Sequence, residues 1–376
     1  MNNQPTSGPY RPTTWSLGGI GKKNVDIPTT AVFLFLYMIG AATHMTIFQY
    51  NRRRGHKFLF NAMIFGESTY VHVTSIFYCI NNLLVTTTGI RLPDYQSHPY
   101  PLFTILTTRL GFCMARITTC ILRIASISLP TNIRLAIAAS ILVAAGILLI
   151  FIINLIWSQR ILRAHHPIGW HPFIRWIFIA LYVTIVFTLA ILITAVVQSF
   201  YTLRPRTKTI DRSLQLYGST LFAIVAFLPI PIVGLSLALS RASKQEVEKF
   251  GQGRHRTKIY VLLTGATLCC LGASYRAGTS WLTPVPLSQP EPARFHKGWF
   301  YFMNFGIEIL IVYLYAVMRV DLRFHVPNGA KGPGSYRKGA QAGDDVVRRP
   351  SDVESMGDME RTETEEETKR KEGQEI

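Results

Sequence analysis

The chain has 376 residues, of which 49% are hydrophobic and 16% are charged, and its formal net charge is +18 at pH 7. Soluble domains carry about a quarter charged residues, so this composition excludes an ordinary soluble protein and indicates an integral membrane protein that contacts the lipid bilayer. Most Lys and Arg stand in short loops between apolar runs, where they set topology, and no basic groove with interleaved aromatic residues indicates a nucleic-acid partner.

Seven apolar stretches follow one another along the chain, and six of them have the length of about 20 residues that crosses roughly 30 Å of hydrocarbon. They predict an all-α fold, a seven-transmembrane helix bundle over residues 28–320, after a polar segment 1–27. The hydrophilic tail 321–376 has too few large apolar residues to offset its ordering entropy, so we expect a disordered tail. The predicted spans are 29–50, an interrupted second span that begins at 58, 135–157, 173–197, 216–240, 259–281 and 299–320.

The loop charges predict the orientation, because inward loops carry the excess of Lys and Arg. With seven crossings and the N-terminus outside, thirteen basic residues lie in inward loops and seven in outward loops. The tail is then cytoplasmic, and the membrane is the plasma membrane or an endomembrane. The inward set is Arg52, Arg53, Arg54, Lys57, Arg160, Arg163, Arg175, Arg241, Lys244, Lys249, Arg254, Arg256 and Lys258.

The second span begins as an apolar helix at 58–66 and then meets Glu67, Ser68 and His72. Deleting 67–111 joins "FLFNAMIFG" to "FCMARITTCILRIASIS", a continuous span of normal length for a tilted helix. If 101–128 crosses separately instead, there are eight crossings, with eleven basic residues inside and ten outside, so the charge bias disappears. Seven crossings therefore fit better.

Two interpretations of 67–111 stay open, a genuine insertion and a translated, unspliced intron. The codons for Gly66-Glu67-Ser68 can contain a splice-donor sequence, and those for Leu110-Gly111 can contain the TAG that would end the intron. Removal of these 45 codons keeps the reading frame. We favour the intron.

Several long motifs occur in an order that resembles a known family. They are "NRRRGHKFLFNAMIFG", "FCMARITTCILRIA", "NLIWSQRILRAHHPIGWHP" and "RVDLRFHVPNGAKGPGSY". The chain resembles, over about 25–336, an uncharacterised family of fungal seven-span membrane proteins, some labelled "family c-likeg1 protein". The resemblance implies a fungal source and a seven-span architecture but no activity, and 67–111 departs from it. A weaker resemblance, carried by Tyr275-Arg276 in a late span, is to fungal lipid-translocating resistance proteins.

Three charged residues lie inside predicted spans, where an unpaired charge is expensive. Arg116 lies near the centre of the reconstructed second span, Arg276 lies near the outer end of the sixth, and Glu308 lies about nine residues into the seventh. We expect Glu308 to pair with Arg276 or Arg116. The remaining Arg then meets an anionic ligand or substrate, or, with no ligand at all, it shares the same carboxylate or bonds backbone carbonyls.

The loops and the tail contain weaker indications of function than the charged residues of the spans. The inward loop 241–258 has six basic residues, which suit anionic headgroups or a cytoplasmic signalling protein. "RRPS" makes Ser351 a candidate phosphosite in the tail. The histidines of "HHPIGWH" fit a shaped turn better than a zinc site, because two prolines interrupt them.

No nucleophile motif, phosphate loop or clustered ligand set is visible, so we expect no enzyme activity, no catalytic residue, no cofactor and no metal. The first functional hypothesis is a receptor-like sensor, indicated by the seven-span topology, the basic inward loop and the tail. The alternative is a lipid or small-molecule transporter or resistance protein, indicated by the charges inside the spans and the Tyr-Arg resemblance.

Overall fold

The computed structural model describes residues 9–53, 111–243, 247–326, 330 and 332–336. Within these residues the chain is helical, without β-strands apart from one isolated bridge between Thr14 and Pro286. The main helices are α1 Lys23–Arg53, α2 Gly111–Ser128, α3 Ile133–Gly146, α4 Leu148–His165, α5 Pro172–Tyr201, α6 Pro205–Phe227, α7 Pro229–Ser243, α8 His255–Trp281, α9 Lys297–Tyr301, α10 Ile307–Val317 and α11 Val320–Arg323. A π-helical turn, Phe302–Gly306, joins α9 to α10, and these three elements together form the last span.

Six stretches of the described chain are long and apolar enough to cross a membrane, which confirms a helical membrane bundle. They match six of the seven predicted spans. All but the last are longer than predicted, because polar end residues continue the helix beyond its apolar core, whereas the last ends three residues earlier. The stretches are Lys23–Asn51, Ile133–His165, Pro172–Tyr201, Pro205–Ser243, His255–Trp281 and Lys297–Val317. Their outward side chains are large and apolar, as expected of a surface that meets lipid: Val32, Phe35, Trp176, Phe187, Leu235, Tyr260, Leu271 and Val317 are exposed.

Contacts at the helix ends fix the direction of α1, α2 and the last span. Asp26, in the first turn of α1, contacts Lys297 at the start of the last span. At the other end of α1, the Asn51 Nδ2 atom donates to Asp321 Oδ2 at 2.5 Å, so α1 and the last span run parallel. We call the end of the bundle where α1 begins face A, and the end where α1 finishes face B.

The shorter helix α2 runs antiparallel to α1. Arg123, near the end of α2, lies 3.9 Å from the Asp26 carboxylate, so α2 finishes at face A. This is the direction that seven crossings give to the second span. The candidate insertion or intron, 67–111, lies outside the described residues except for Gly111, where α2 begins.

Three spans contain breaks. Pro229, followed by Pro231, interrupts the span between α6 and α7, because a proline has no N–H to donate to the preceding turn. The break between Gly146 and Leu148 and the π turn of the last span were not predicted. Each break lets a helix approach or leave its neighbours at mid-length.

The first residues of the predicted tail, from Asp321, pack against the bundle. Asp321, Phe324 and Tyr336 are buried against the bundle. Two aromatic side chains suffice to hold this segment, because the bundle supplies the apolar surface that the tail lacks. The rest of the tail, 337–376, and with it Ser351, lies outside the described residues.

Glycines on one face of α8 allow the last span to pack closely. A Cβ added to Gly265 would overlap the Tyr315 hydroxyl, and a Cβ added to Gly272 would lie 3.0 Å from the Met303 carbonyl oxygen. In membranes, where apolar area alone does not drive helices together, such small residues permit the close contact that does. Gly278, on the same helix, has no atom within 4 Å of its added Cβ.

We therefore expect Gly265→Ala to lower the free energy of unfolding by about 1–3 kcal/mol, the usual cost of overpacking. Gly278→Ala is the matched control and should leave it unchanged or slightly raised, because Ala favours helix over Gly. The measurement is the thermal unfolding midpoint of the two purified variants in one detergent. Equal midpoints would contradict the packing described for α8.

Candidate functional site: a buried charge cluster

Glu308 is the centre of the candidate site. It lies in the first turn of α10, directly after the π turn, and its side chain is 0% exposed. Single π turns inside helices occur frequently at functional sites, because the extra residue redirects the side chains that follow. Here the turn precedes the only acidic residue of the last span.

Arg116 of α2 makes the closest contacts with Glu308. Its Nη2 and Nε atoms lie 2.5 Å from Oε1 and Oε2 of the carboxylate, which is a two-point ion pair. Its Nη1 atom donates to the carbonyl oxygens of Leu142 and Val143 at 3.2 and 3.1 Å. A Cβ added to Gly146 would lie 2.8 Å from the Arg116 Cζ atom, so the glycine at the break in this span makes room for the guanidinium.

Arg276 of α8 reaches the same carboxylate. Its Nη2 atom donates to Glu308 Oε1 at 3.1 Å. Arg276 is less enclosed than Arg116, with a side chain 17% exposed against 1%. Its Nε atom is buried and has no hydrogen-bond partner among the described residues. This N–H group can therefore donate a hydrogen bond to a further group.

Other side chains complete the surroundings of the carboxylate. The Tyr37 hydroxyl of α1 donates to Glu308 Oε2 at 3.2 Å. The rings of Phe112 and Phe305 lie 5.6 and 5.8 Å from Arg116 Cζ, within range of a cation–π contact. With two guanidiniums and one carboxylate, the cluster of Arg116, Arg276 and Glu308 carries a formal charge of +1.

The structure thus brings together all three residues that the sequence singled out. Both arginines contact Glu308, so its carboxylate is shared between them. The cluster as a whole keeps one excess positive charge.

A second charge group at face A was missed by the sequence analysis. Asp26 is buried, contacts Lys297 and accepts a hydrogen bond from the Tyr301 hydroxyl at 2.9 Å. Arg123 lies over the Phe300 ring at 4.4 Å and near Asp26. Asp26 and Lys297 stand at the ends of apolar runs, where charged residues are usually solvated, so the sequence gives only a weak sign of their burial. The lone acidic residue just before the first apolar run was the available signal.

The histidines have structural roles. His166 and His171 each accept a backbone N–H at the ends of a 3₁₀ turn, Pro167–Trp170, which is the shaped turn that was favoured. The Nε2 atom of His44 lies 3.2 Å from the Val312 carbonyl oxygen of the last span. Within the described ranges no three His, Cys, Asp or Glu side chains converge as metal ligands would.

We expect Glu308→Gln to lower the free energy of unfolding by about 3–5 kcal/mol, because it leaves two buried guanidiniums without their counter-ion. Arg276→Gln should cost less, because Arg116 still pairs with the carboxylate. Asp211→Asn is the matched control: Asp211 is 1% exposed and neither carboxylate oxygen has a hydrogen-bond partner among the described residues.

The control should therefore unfold at or above the midpoint of the unaltered chain, since removing an unpaired buried carboxylate relieves a desolvation cost. Thermal unfolding of the three variants in detergent makes the comparison. If Glu308→Gln were no more harmful than Asp211→Asn, the cluster would not hold the bundle together.

One family comparison covers part of this site. A family described as "Protein of unknown function (DUF3112)" matches residues 243–325. The matched stretch contains α8 and the last span, and so includes Arg276 and Glu308 but not Arg116. Neither a curated protein nor a solved structure matches the chain. The similarity therefore supports a helical membrane protein and assigns no activity.

Proposed function

We propose that the chain is a seven-span, receptor-like membrane sensor whose ligand carries a negative charge and binds at Arg276. The observation that carries the proposal is the imbalance of the buried cluster, which has two guanidiniums for one carboxylate. An anionic group at the Arg276 Nε atom would neutralise the cluster, and the guanidinium would lose little further hydration, because this atom is already buried.

A neighbouring polar atom supports a ligand in this region. Asn304 lies in the π turn, one helical turn before Glu308, and its side chain is buried. Its Nδ2 atom donates to the Phe300 carbonyl oxygen, but its Oδ1 atom has no partner among the described residues. A ligand headgroup with both an anionic oxygen and a donor would satisfy Arg276 and Asn304 together.

The orientation that we propose places face A outside and face B in the cytoplasm. It rests on the excess of Lys and Arg in the loops of face B. The ligand then approaches from the outside or from the outer leaflet, and the helix ends at face B meet cytoplasmic proteins. A signalling protein at the 241–258 loop belongs to this proposal.

Packing at face B favours a sensor over an open conduit. The Trp157 ring stacks on Phe324 at 4.5 Å and meets Tyr315 edge-on at 4.9 Å. The Arg160 Nη1 atom donates to the Phe324 carbonyl oxygen at 2.5 Å. These contacts pack side chains of α4 and the last span against Phe324 towards face B, so we expect a ligand at Arg276 to act on this layer by moving the last span.

The last span is suited to transmit such a movement. It carries Glu308 and Tyr315, and Arg319, two residues beyond its end, has a φ of 45° that is rare for a residue with a side chain. The Arg319 Nη2 atom lies 3.0 Å from Asp321 Oδ2, and this pairing raises the pKa of Arg319. Backbone strain of this kind persists where the surrounding structure enforces it, and it often marks switch regions.

The alternative function is a lipid or small-molecule transporter. It is favoured by the arrangement of α2, where Arg116 and Arg123 are seven residues apart on one helix face and so about 10 Å apart along its axis. These cations would offer an anionic lipid headgroup successive positions from face A to the middle of the bundle. We propose no enzyme activity for either function.

A binding test with a defined probe examines the proposal. Lysophosphatidic acid should raise the unfolding midpoint of the purified chain, whereas the zwitterionic lysophosphatidylcholine should have little effect. Arg276→Gln should lose the stabilisation by lysophosphatidic acid. Arg212→Gln is the control, because Arg212 also lies at face A but donates only to the Leu282 carbonyl oxygen.

Equal stabilisation of the Arg276→Gln and unaltered chains would contradict a ligand site at Arg276. Flux of the labelled probe across reconstituted vesicles separates the two functions. A sensor gives binding without flux, whereas flux that Arg276→Gln abolishes would establish the transporter instead.

A further inference from the structure

A short segment of the tail is docked at face B. Residues 332–336, with the sequence Gly-Pro-Gly-Ser-Tyr, lie against the loop that precedes α8. The Glu248 side chain of that loop accepts two backbone N–H groups from the segment: Oε1 lies 2.7 Å from the Gly334 nitrogen, and Oε2 lies 3.3 Å from the Tyr336 nitrogen. One carboxylate therefore binds the backbone of the segment through two hydrogen bonds.

The Tyr336 side chain fills an aromatic pocket and is 1% exposed. Its ring centroid lies 5.2 Å from that of Trp170 and 5.6 Å from that of Phe250. The Arg163 guanidinium lies 5.0 Å over the Trp170 ring, which contacts Tyr336. We call the surface formed by Glu248, Phe250, Trp170 and Arg163 the tail groove.

The tail groove is built by contacts that do not involve the tail segment. The Glu248 backbone N–H donates to the Ala164 carbonyl oxygen at 2.9 Å, which ties the loop to the end of α4. The buried Lys258 ammonium donates to the Phe250 carbonyl oxygen and so stabilises the loop. By sequence alone, this lysine counts among the basic residues of the inward loop. The Gly169 carbonyl oxygen accepts from Arg163 Nε at 3.3 Å and orients the guanidinium.

The tail segment has a shape of its own. The Ser335 N–H donates to the Gly332 carbonyl oxygen at 3.2 Å, and Gly334 has a φ of +82°. Proline at the second position and a glycine of positive φ at the third are the signature of a type II turn. The turn directs the Gly334 and Tyr336 N–H groups at one carboxylate and so reduces the entropy lost on docking.

We propose that the tail groove is a binding site for a short Gly-x-Tyr peptide, and that the chain's own residues 332–336 occupy it as a releasable clasp. The chemistry of recognition is one carboxylate for two backbone N–H groups and one aromatic pocket for a tyrosine. Only five residues separate Val326 from Gly332, so the segment is held near the groove at a high effective concentration.

The clasp determines what a cytoplasmic protein can reach. While it is in place, the Glu248 carboxylate accepts from the segment and the Phe250 ring is buried, whereas Lys249, Arg254 and Arg256 of the same loop are exposed. Release exposes an acidic and an aromatic group on the same loop. This inference is independent of a ligand at Arg276, because it rests only on contacts at face B.

Hydrogen exchange of the full-length chain in nanodiscs tests the clasp. The Gly334 and Tyr336 amides should exchange at least tenfold more slowly than those of an unstructured peptide of the same sequence. Glu248→Gln should remove most of this protection, because an amide side chain offers only one acceptor oxygen. Lys249→Gln is the control, since Lys249 is the exposed neighbour of Glu248, and it should keep the protection. Unprotected amides in the unaltered chain would overturn the proposal.

A second measurement uses a fluorescent peptide of residues 330–338. Tyr336→Ala in the full-length chain removes the internal competitor and should bind the peptide at least tenfold more tightly than the unaltered chain does. Adding Glu248→Gln to that variant should abolish the gain, and a peptide in which Tyr336 is replaced by Ala should not bind. Equal affinity of the unaltered chain and Tyr336→Ala for the peptide would overturn the clasp.

Discussion

The Glu308 carboxylate, shared by two guanidiniums inside a membrane bundle, is the interaction on which the rest of the structure depends. A charge in this position is costly unless it is paired, and pairing here draws on four separate segments of the chain. Three side chains link other helices to Glu308 of the last span: Arg116 links α2, Arg276 links α8 and Tyr37 links α1. The Arg116 guanidinium also binds carbonyl oxygens of α3, so a single carboxylate positions five parts of the bundle.

The same interaction explains the irregular helices around it. The π turn before Glu308 changes the direction of the following side chains, and the break after Gly146 leaves space for Arg116. Such irregularities carry a cost in helical hydrogen bonding, and they lie where the charged groups meet. The excess of one positive charge links this structural core to the proposed function, because an anion at the Arg276 Nε atom would bind the same guanidinium that donates to Glu308.

The long helices could be predicted because apolar runs of membrane length have few other structural solutions. The pairing of Arg116 or Arg276 with Glu308 was predictable for a related reason: lone charges in such runs need partners. The burial of Asp26 with Lys297 was not predictable from the sequence. Both residues stand at span ends, where charged side chains are usually in contact with water. The docked Tyr336 was also missed, because one aromatic residue in a hydrophilic tail has no periodic pattern and its pocket comes from distant residues. The π turn follows from packing around Glu308 and leaves no mark in the local sequence.

A double-mutant cycle between Glu308 and Arg116 tests the central role of the cluster most directly. The free energy of unfolding is measured for the unaltered chain, Glu308→Gln, Arg116→Gln and the double variant in one detergent. If the carboxylate holds the bundle through this guanidinium, the double variant loses less than the two single variants combined, with a coupling of at least about 2 kcal/mol, because removing both charges leaves neither unpaired. Additive losses, with a coupling near zero, would contradict the account.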